Sequence, residues 1–244
     1  MALDSRGSDA STPSPSLRAS TGVGALAYEL KFLLTEEQAA AVERSLASAL
    51  TPDPHGEAAL GGAYRTLSIY CDNERWEVLT RSGAGATTKL RVRQYGERGP
   101  IFLERKQTQN TQVTKRRVAV ARLDARSGSA EESWFWNEAI DRGLVPVCAV
   151  QYERRAFTGG DGHDWRLTFD RNIRCAKANG WSLGVAPLAP VLSDCVLCEM
   201  KFLDVLPLIF KRTLEQHSIA PVSVSKYRRS ARVLGLGDGA GPDA

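Results

Sequence analysis

The chain has 244 residues, 43% of them hydrophobic and 25% charged, and its 32 basic and 28 acidic side chains leave a net charge of +4. That is the composition of a globular protein able to bury a substantial core. The small excess charge means that any strong preference for anions must come from where the cations sit. No apolar run is long enough to span a bilayer, and the N-terminus has no basic-then-apolar signal pattern. Five cysteines and three scattered histidines include a lone Cys195-x-x-Cys198, which is too few ligands for a zinc site. All five cysteines are expected to be free thiols in a reducing, cytoplasmic setting.

Residues 1–24 are rich in Ser, Gly, Pro and Ala without apolar periodicity and read as a disordered segment, as does the tail 235–244. Between them no linker marks a boundary, so residues 25–234 read as one domain. Ala27–Phe32 is a short strand with Glu29 and Lys31 on one face. Thr35-Glu-Glu-Gln38 is a capping box opening a helix to about Leu50, ended by Thr51-Pro52. Residues 54–62 are loop, Tyr64–Asp72 is β-rich, and Ser82–Ala86 is a turn. That turn lacks the Gly-Lys-Ser/Thr ending and following helix of a phosphate loop. Lys89–Tyr95 alternates, with Lys89, Arg91, Arg93 and Tyr95 opposite Leu90 and Val92.

Gly96–Pro100 is a hairpin turn leading to Ile101–Lys106, where Phe102, Glu104 and Lys106 share a face. Val113–Val120 puts Lys115 and Arg117 together with Val113. Ser129-Ala-Glu-Glu132 reads as a second capping box, for a helix to about Arg142 whose Trp134, Phe135 and Trp136 pack on the sheet. Val147–Ala156 is a strand with Tyr152 and Arg154 on one face; Gly159–Gly162 is a turn. Trp165–Asp170 sets Arg166, Thr168 and Asp170 against Leu167 and Phe169, and Val196–Phe202 sets Glu199 beside Lys201. Asp204 can cap a helix to about His217, with Pro207 in its first turn, and a helical segment carries Ser225–Arg229.

Each strand alone is most simply a half-solvated strand with its charges in water. At least six repeat the pattern, however. Their charged faces collect Lys31, Lys89, Arg91, Arg93, Lys106, Lys115, Arg117, Arg154, Arg166 and Lys201, with Glu29, Glu104, Asp170 and Glu199 among them. A sandwich or barrel with an apolar interior would leave the amphipathic helices no apolar sheet face to cover. The alternative is a closed antiparallel β-barrel of an α+β protein, with helices packed outside and the charges lining a tunnel. Cations so confined repel one another by several kcal/mol for close pairs, roughly, so a polyanion must offset them. Arg offers bidentate phosphate contacts and Lys point charges; a carboxylate among them suits a divalent metal bridging phosphates. A nucleic-acid binder would explain the cations but not their strict alternation with apolar residues.

The motifs that carry these residues resemble those of the VTC (vacuolar transporter chaperone) polyphosphate polymerase domain, a branch of the triphosphate tunnel metalloenzymes. They are Tyr28-Glu-Leu-Lys31, Ser68-Ile-Tyr-Cys-Asp72, Lys89-Leu-Arg-Val-Arg93 with Tyr95-Gly96, Leu103-Glu-Arg-Lys106 and Lys115-Arg-Arg117. Val150-Gln-Tyr-Glu-Arg154, Arg166-Leu-Thr-Phe-Asp170, Leu197-Cys-Glu-Met-Lys201 and Ser225-Lys-Tyr227 follow in order. The resemblance runs from about Tyr28 to about Arg232. It implies a triphosphate tunnel that binds ATP or another triphosphate with Mn2+ or Mg2+ and passes the γ-phosphate to a polyphosphate chain.

On that resemblance Lys31, Arg91, Arg93, Lys106, Lys115, Arg154, Arg166, Lys201, Lys226 and Tyr152 bind phosphate, joined by Lys89 and Arg117 from the alternation. Arg91, Arg93, Lys106, Glu199 and Lys201 carry the transfer step, and Glu199 holds the metal, with Glu29 and Glu104 as further candidates. Related tunnel triphosphatases open with Glu-x-Glu-x-Lys, whereas here Ala27 stands where the first Glu would sit, which favours polymerase over hydrolase. The chain also lacks the phosphate-sensing and transmembrane segments of the eukaryotic complexes, so coupling to translocation would need a membrane-protein partner. A tunnel triphosphatase and a non-catalytic polyphosphate-binding module remain the alternatives.

Overall fold

A computed structural model describes residues 22–23, 27–109, 112–123, 129–159, 165–184 and 188–237. Its strands are β1 (Gly22–Val23), β2 (Ala27–Leu34), β3 (Leu50–Pro52), β4 (Ala63–Asp72), β5 (Thr88–Tyr95), β6 (Ile101–Gln109), β7 (Gln112–Val120), β8 (Val145–Gly159), β9 (Trp165–Lys177), β10 (Ala189–Pro190) and β11 (Val196–Phe202). The helices are α1 (Glu36–Leu46), α2 (Glu77–Thr80), α3 (Ser133–Asp141), α4 (Leu208–Gln216) and α5 (Lys226–Val233). Eight strands run β9-β11-β2-β7-β6-β5-β4-β8, all antiparallel, and β8 pairs back onto β9 to close the barrel. Closure leaves the ring itself no unpaired edge. The short β1, β3 and β10 lie on β7, β8 and β9.

Residues directly paired across strands face the same side. Arg91 pairs with Tyr70 and Glu104, Lys106 with Lys115, Glu199 with Lys31, and Lys201 with Glu29 and Arg166. All of these face inward. The intervening residues face outward and supply the apolar packing. Under α1 and α4, Phe32, Phe169 and Met200 meet Ala39, Val42, Leu46 and Phe210. On the other side Ile69, Leu90, Val92, Leu103 and Val118 join Phe135 and Trp136 of α3. The apolar shell therefore lies outside the barrel wall, as the alternation predicts, and the charges lie within.

One end departs from that scheme. Val150 pairs with Ser68, whose hydroxyl faces inward to Arg93, and Val150 also pairs with Cys175. Leu33 and Leu197 pair at the same end. These inward apolar positions are covered by α5, which packs on β8 and β9; Tyr227 stacks on Tyr70 with ring centroids 5.5 Å apart, and the Cys175 thiol donates to Ser230 O at 3.8 Å. A bulge makes this possible. Asn172 adopts φ 51°, and the β8–β9 register slips between Gln151 and Glu153. Inward parity in β9 passes from Arg166, Thr168 and Asp170 to Cys175 across it.

Several element ends differ from the sequence reading. The Thr35 capping box forms, with Gln38 N–H donating to the Thr35 hydroxyl, but α1 stops at Leu46 rather than Leu50, which enters β3 by pairing with Gly159. Ser129 does not cap α3: its carbonyl accepts from Glu132 and Ser133 N–H, closing a turn, and the helix starts at Ser133. Pro207, not Asp204, precedes the first residue of α4, since its missing N–H and fixed φ suit a helix entry. Gly22 and Val23, within the segment expected to lack structure, pair with Arg117 and Arg116 as a two-residue strand, while residues 1–21 and 24 of that segment lie outside the described residues. Residues 160–162 of the expected turn and 238–244 of the tail lie outside the described residues. All five cysteines are free, and no described helix is long and apolar enough to cross a membrane.

Leu90 is fully buried in the outer shell beside the inward Lys89 and Arg91. Leu90→Ala is expected to destabilise the fold by about 2–5 kcal/mol through lost burial and a residual cavity, lowering the urea midpoint at unchanged slope.

Candidate functional site: a cationic tunnel

The barrel encloses a cavity of about 720 Å³, lined by Lys31, Lys89, Lys106, Lys115, Lys201 and Lys226, by Arg91, Arg93, Arg117, Arg154 and Arg166, and by Glu29, Glu104 and Glu199. Asp53, His55, Glu57, Tyr64, Tyr70, Tyr95, Ser225 and the Gly96–Pro100 hairpin complete its wall.

The arginines are held by acceptors on neighbouring strands. Arg91 Nε lies 2.6 Å from Glu104 Oε2, with a further Nη1 contact to Tyr70 OH at 3.4 Å. Arg93 donates to Ser68 Oγ at 3.0 Å and to Tyr95 OH at 3.5 Å. Arg154 makes a bidentate pair with the fully buried Asp170, at 2.6 and 2.7 Å. Arg166 Nη2 sits 2.5 Å from Asp53 Oδ2 and 3.2 Å from Tyr64 OH. These four guanidiniums are thus oriented before any ligand arrives.

The lysines share two carboxylates. Glu29 Oε1 lies 3.0 Å from Lys106 Nζ and 3.3 Å from Lys31 Nζ. Glu199 lies 3.2 Å from Lys226, 3.3 Å from Lys201, 3.5 Å from Arg154 and 3.9 Å from Lys31. Burial pushes the Glu199 carboxyl up, but Lys226, Lys201, Lys31 and Arg154 outweigh it and hold the group well below the usual carboxylate range. Glu29 is lowered likewise, burial being outweighed by Lys106, Lys201 and Lys31, and Glu104 by Arg91, Arg93 and Lys115. Lys226, between Asp170 at 2.6 Å and Glu199, is raised: the two carboxylates overcome its burial.

Among the described residues four lining cations have no carboxylate partner: Arg98, Arg117, Lys89 and Lys115. Burial, then Arg228, Lys106, Lys31 and Arg81, bring Lys89 down to about 7. Lys201 and burial hold Lys115 well below the lysine range.

The VTC domain model matches residues 26–234. The chain belongs to the VTC domain family. No curated protein matches the sequence. A Hippeastrum protein proposed as an adenylyl cyclase and described as having a dominant triphosphatase activity superposes with TM-score 0.53 at 11% identity, covering 87% of this chain and 97% of its own. A proposed adenylate cyclase from Vibrio parahaemolyticus aligns at TM-score 0.48 and 10% identity over 84% of this chain and 98% of that one. A Pyrococcus horikoshii protein aligns at 0.47 and 13% identity over 82% and 95%. At 11% identity the likeness to the Hippeastrum protein is one of fold.

The family implies a divalent metal. Among the described residues no three His, Cys, Asp or Glu side chains converge on a metal position. Glu29 and Glu199 nevertheless share Lys31 and Lys201 as partners, and both are held ionised. Two carboxylates with phosphate oxygens completing the shell suit Mg2+ or Mn2+, so the residues fit an ion that arrives with its phosphate ligand. Glu104, the further candidate, is clasped by Arg91.

Within this VTC domain, all the expected phosphate-binding residues line the cavity except Tyr152. It is almost fully buried in the wall, beneath Arg154 and Lys226 whose charges lie 5.2 and 4.8 Å from its ring, and its hydroxyl has no partner. Asp170 was legible as an inward acid, and the fold makes it the anchor of Arg154 and Lys226. Sequence reasoning missed Asp53, His55, Glu57, Tyr64 and Tyr95. The first three come from the 54–62 loop and its approach, where no period exists to read. Tyr95 was placed on the charged face of its strand but not named as a site residue, and Tyr64 lies on a strand read only as β-rich, with no face assigned.

Lys89 makes the tunnel pH-dependent. Its proton is lost at about 7 in the fold and at 10.5 in the free side chain. Below about 7 the fold bears the whole penalty of a buried ammonium. As pH rises towards 10.5 only the unfolded chain still holds that proton, so the penalty shrinks and stability rises. A bound polyanion restores the proton. Tripolyphosphate binding at pH 8, followed by calorimetry in buffers of different ionisation enthalpy, is expected to take up about one more proton in the wild type than in Lys89→Met.

Proposed function

We propose that this VTC domain transfers the γ-phosphate of ATP, with Mn2+ or Mg2+, onto the end of a polyphosphate chain inside the tunnel. The observation that carries the reading is the state of the three glutamates within the lysine and arginine belt. Glu29, Glu104 and Glu199 are each bound to cations and held well below the usual range, so none is a good base. Ala27, on the same inward face as Glu29 and Lys31, puts a methyl group where a further carboxylate would stand. Water must lose a proton to attack phosphorus productively. A terminal phosphate oxygen is already an anion and needs no base.

The transfer is then a matter of placement and charge. An oxygen of the acceptor chain attacks Pγ in line, the bond from Pγ to the bridging oxygen breaks, and the nucleoside diphosphate leaves with that electron pair. Arg91 and Arg93 grip the donor phosphates from β5, while Arg154 and Arg166 hold them from β8 and β9. Lys31, Lys106, Lys115 and Lys201 balance charge on the equatorial and leaving oxygens, and Lys226 and Lys89 do so at the α5 end. A divalent ion, which Glu199 with Glu29 would hold, would supply further neutralisation of phosphate charge. The cytoplasm provides ATP for such a reaction. With water as acceptor the same tunnel would be a triphosphatase, the activity described for the Hippeastrum protein.

Purified chain incubated with ATP and Mn2+ is expected to yield long polyphosphate on a gel. Orthophosphate alone would identify a triphosphatase, and tight polyphosphate binding without turnover a binding module. Glu199→Gln is expected to reduce turnover by about 10²-fold or more while weakening triphosphate binding only in part. Unimpaired turnover in that variant would take Glu199 out of the metal-holding role.

A further inference from the structure

Asp72 lies outside the cavity and has no part in the proposed transfer, yet it is a fully buried carboxylate. Its Oδ1 accepts from Asn73 N–H at 2.9 Å and Val78 N–H at 3.0 Å, and its Oδ2 from Leu79 N–H at 2.9 Å. Backbone amides of this kind stabilise a buried anion. The remaining contact is of another sort: Tyr227 OH donates to Oδ2 at 2.6 Å. Burial, then Asp72 itself, push the Tyr227 hydroxyl far above its ordinary range, so it remains a proton donor at all working pH values.

Tyr227 follows Lys226, the first residue of α5. Lys226 Nζ reaches Asp170 and Glu199, so the two consecutive side chains anchor the start of α5 at two different places, one outside the cavity and one within. The Tyr227 ring also stacks on Tyr70, whose hydroxyl accepts from Arg91. A lysine has four rotatable side-chain bonds, and its ammonium is positioned only as well as its backbone is.

We propose that Asp72 is a positioning residue that acts through Tyr227: the hydrogen bond fixes the first turn of α5 so that Lys226 is held in the tunnel for the anionic ligand. The inference rests on the tunnel binding a triphosphate, and it extends the site to a carboxylate that touches no ligand.

The test is a double-mutant cycle in the full chain, read as tripolyphosphate affinity by calorimetry without turnover. Tyr227→Phe removes the donor and keeps the ring on Tyr70. It is expected to weaken binding about 5–10-fold, as loss of one ordered charge contact would. In a Lys226→Met background the same change is expected to weaken binding less than about twofold, because its effect passes through the lysine. Asp72→Asn, which keeps an acceptor for the Tyr227 hydroxyl, is expected to retain more affinity than Asp72→Ala. Thr35→Ala, which removes the distant α1 cap, should lower the melting temperature without changing affinity. Full additivity of Tyr227→Phe with Lys226→Met, or unchanged affinity in Tyr227→Phe, overturns the proposal. Failure of the wild type to bind tripolyphosphate overturns the functional reading and this inference with it.

Discussion

Like charges confined in a barrel must be held apart or offset, and the rest of this structure follows from that requirement. Twelve lysines and arginines line one cavity. At the effective dielectric of a protein interior, near neighbours repel by roughly a few kcal/mol. Five carboxylates spread the load: Glu104 takes Arg91, Asp170 takes Arg154 and Lys226, Asp53 takes Arg166, and Glu29 and Glu199 divide most of the lysines. Such buried pairs add little net stability, because desolvation consumes most of the attraction. Their contribution is geometric: Arg91, Arg154 and Arg166 are aimed, and Glu29, Glu104 and Glu199 are kept ionised and poorly basic.

The stability must therefore come from elsewhere, and it comes from outside the barrel. The wall is one strand thick, so alternate residues can serve opposite purposes. Leu90 and Val92 pack beneath α3, and Phe32, Phe169 and Met200 beneath α1 and α4, while their neighbours in sequence line the tunnel. Function and stability are thereby separated by a single residue step along each strand, and a slip of one residue in any register would exchange them.

The α5 helix belongs to both regions. Its Tyr227 and Ala231 pack with apolar side chains, including Val150 and Cys175 on the inward face at one end of the barrel, and Lys226 reaches Glu199. The tunnel is consequently not uniform. Its chemistry grades from the tyrosines, Asp53 and His55 beside the Gly96–Pro100 hairpin, through the arginine and lysine belt, to an apolar end covered by a helix. The cations are gathered in the middle, where those with and without carboxylate partners lie side by side.

By itself the sequence determined the inside-out barrel and most of its cationic lining. Alternation has a period of two, charge and apolarity differ sharply, and six strands repeating the pattern, in Lys89–Arg93 most plainly, leave few other arrangements. Tertiary structure decided what no period records. The bulge at Asn172 turns the inward parity of β9, so Cys175 faces inward beyond Asp170 although five residues separate them. Asp53 and His55 reach the cavity from a loop, and Tyr152, placed on the inward face by its strand, is roofed by Arg154 and Lys226. Which cation each carboxylate takes was likewise settled only by closure, because Glu29 meets Lys106, and Asp72 meets Tyr227, across 77 and 155 residues of chain. Local pattern sets the side a residue faces; ring closure sets what it faces.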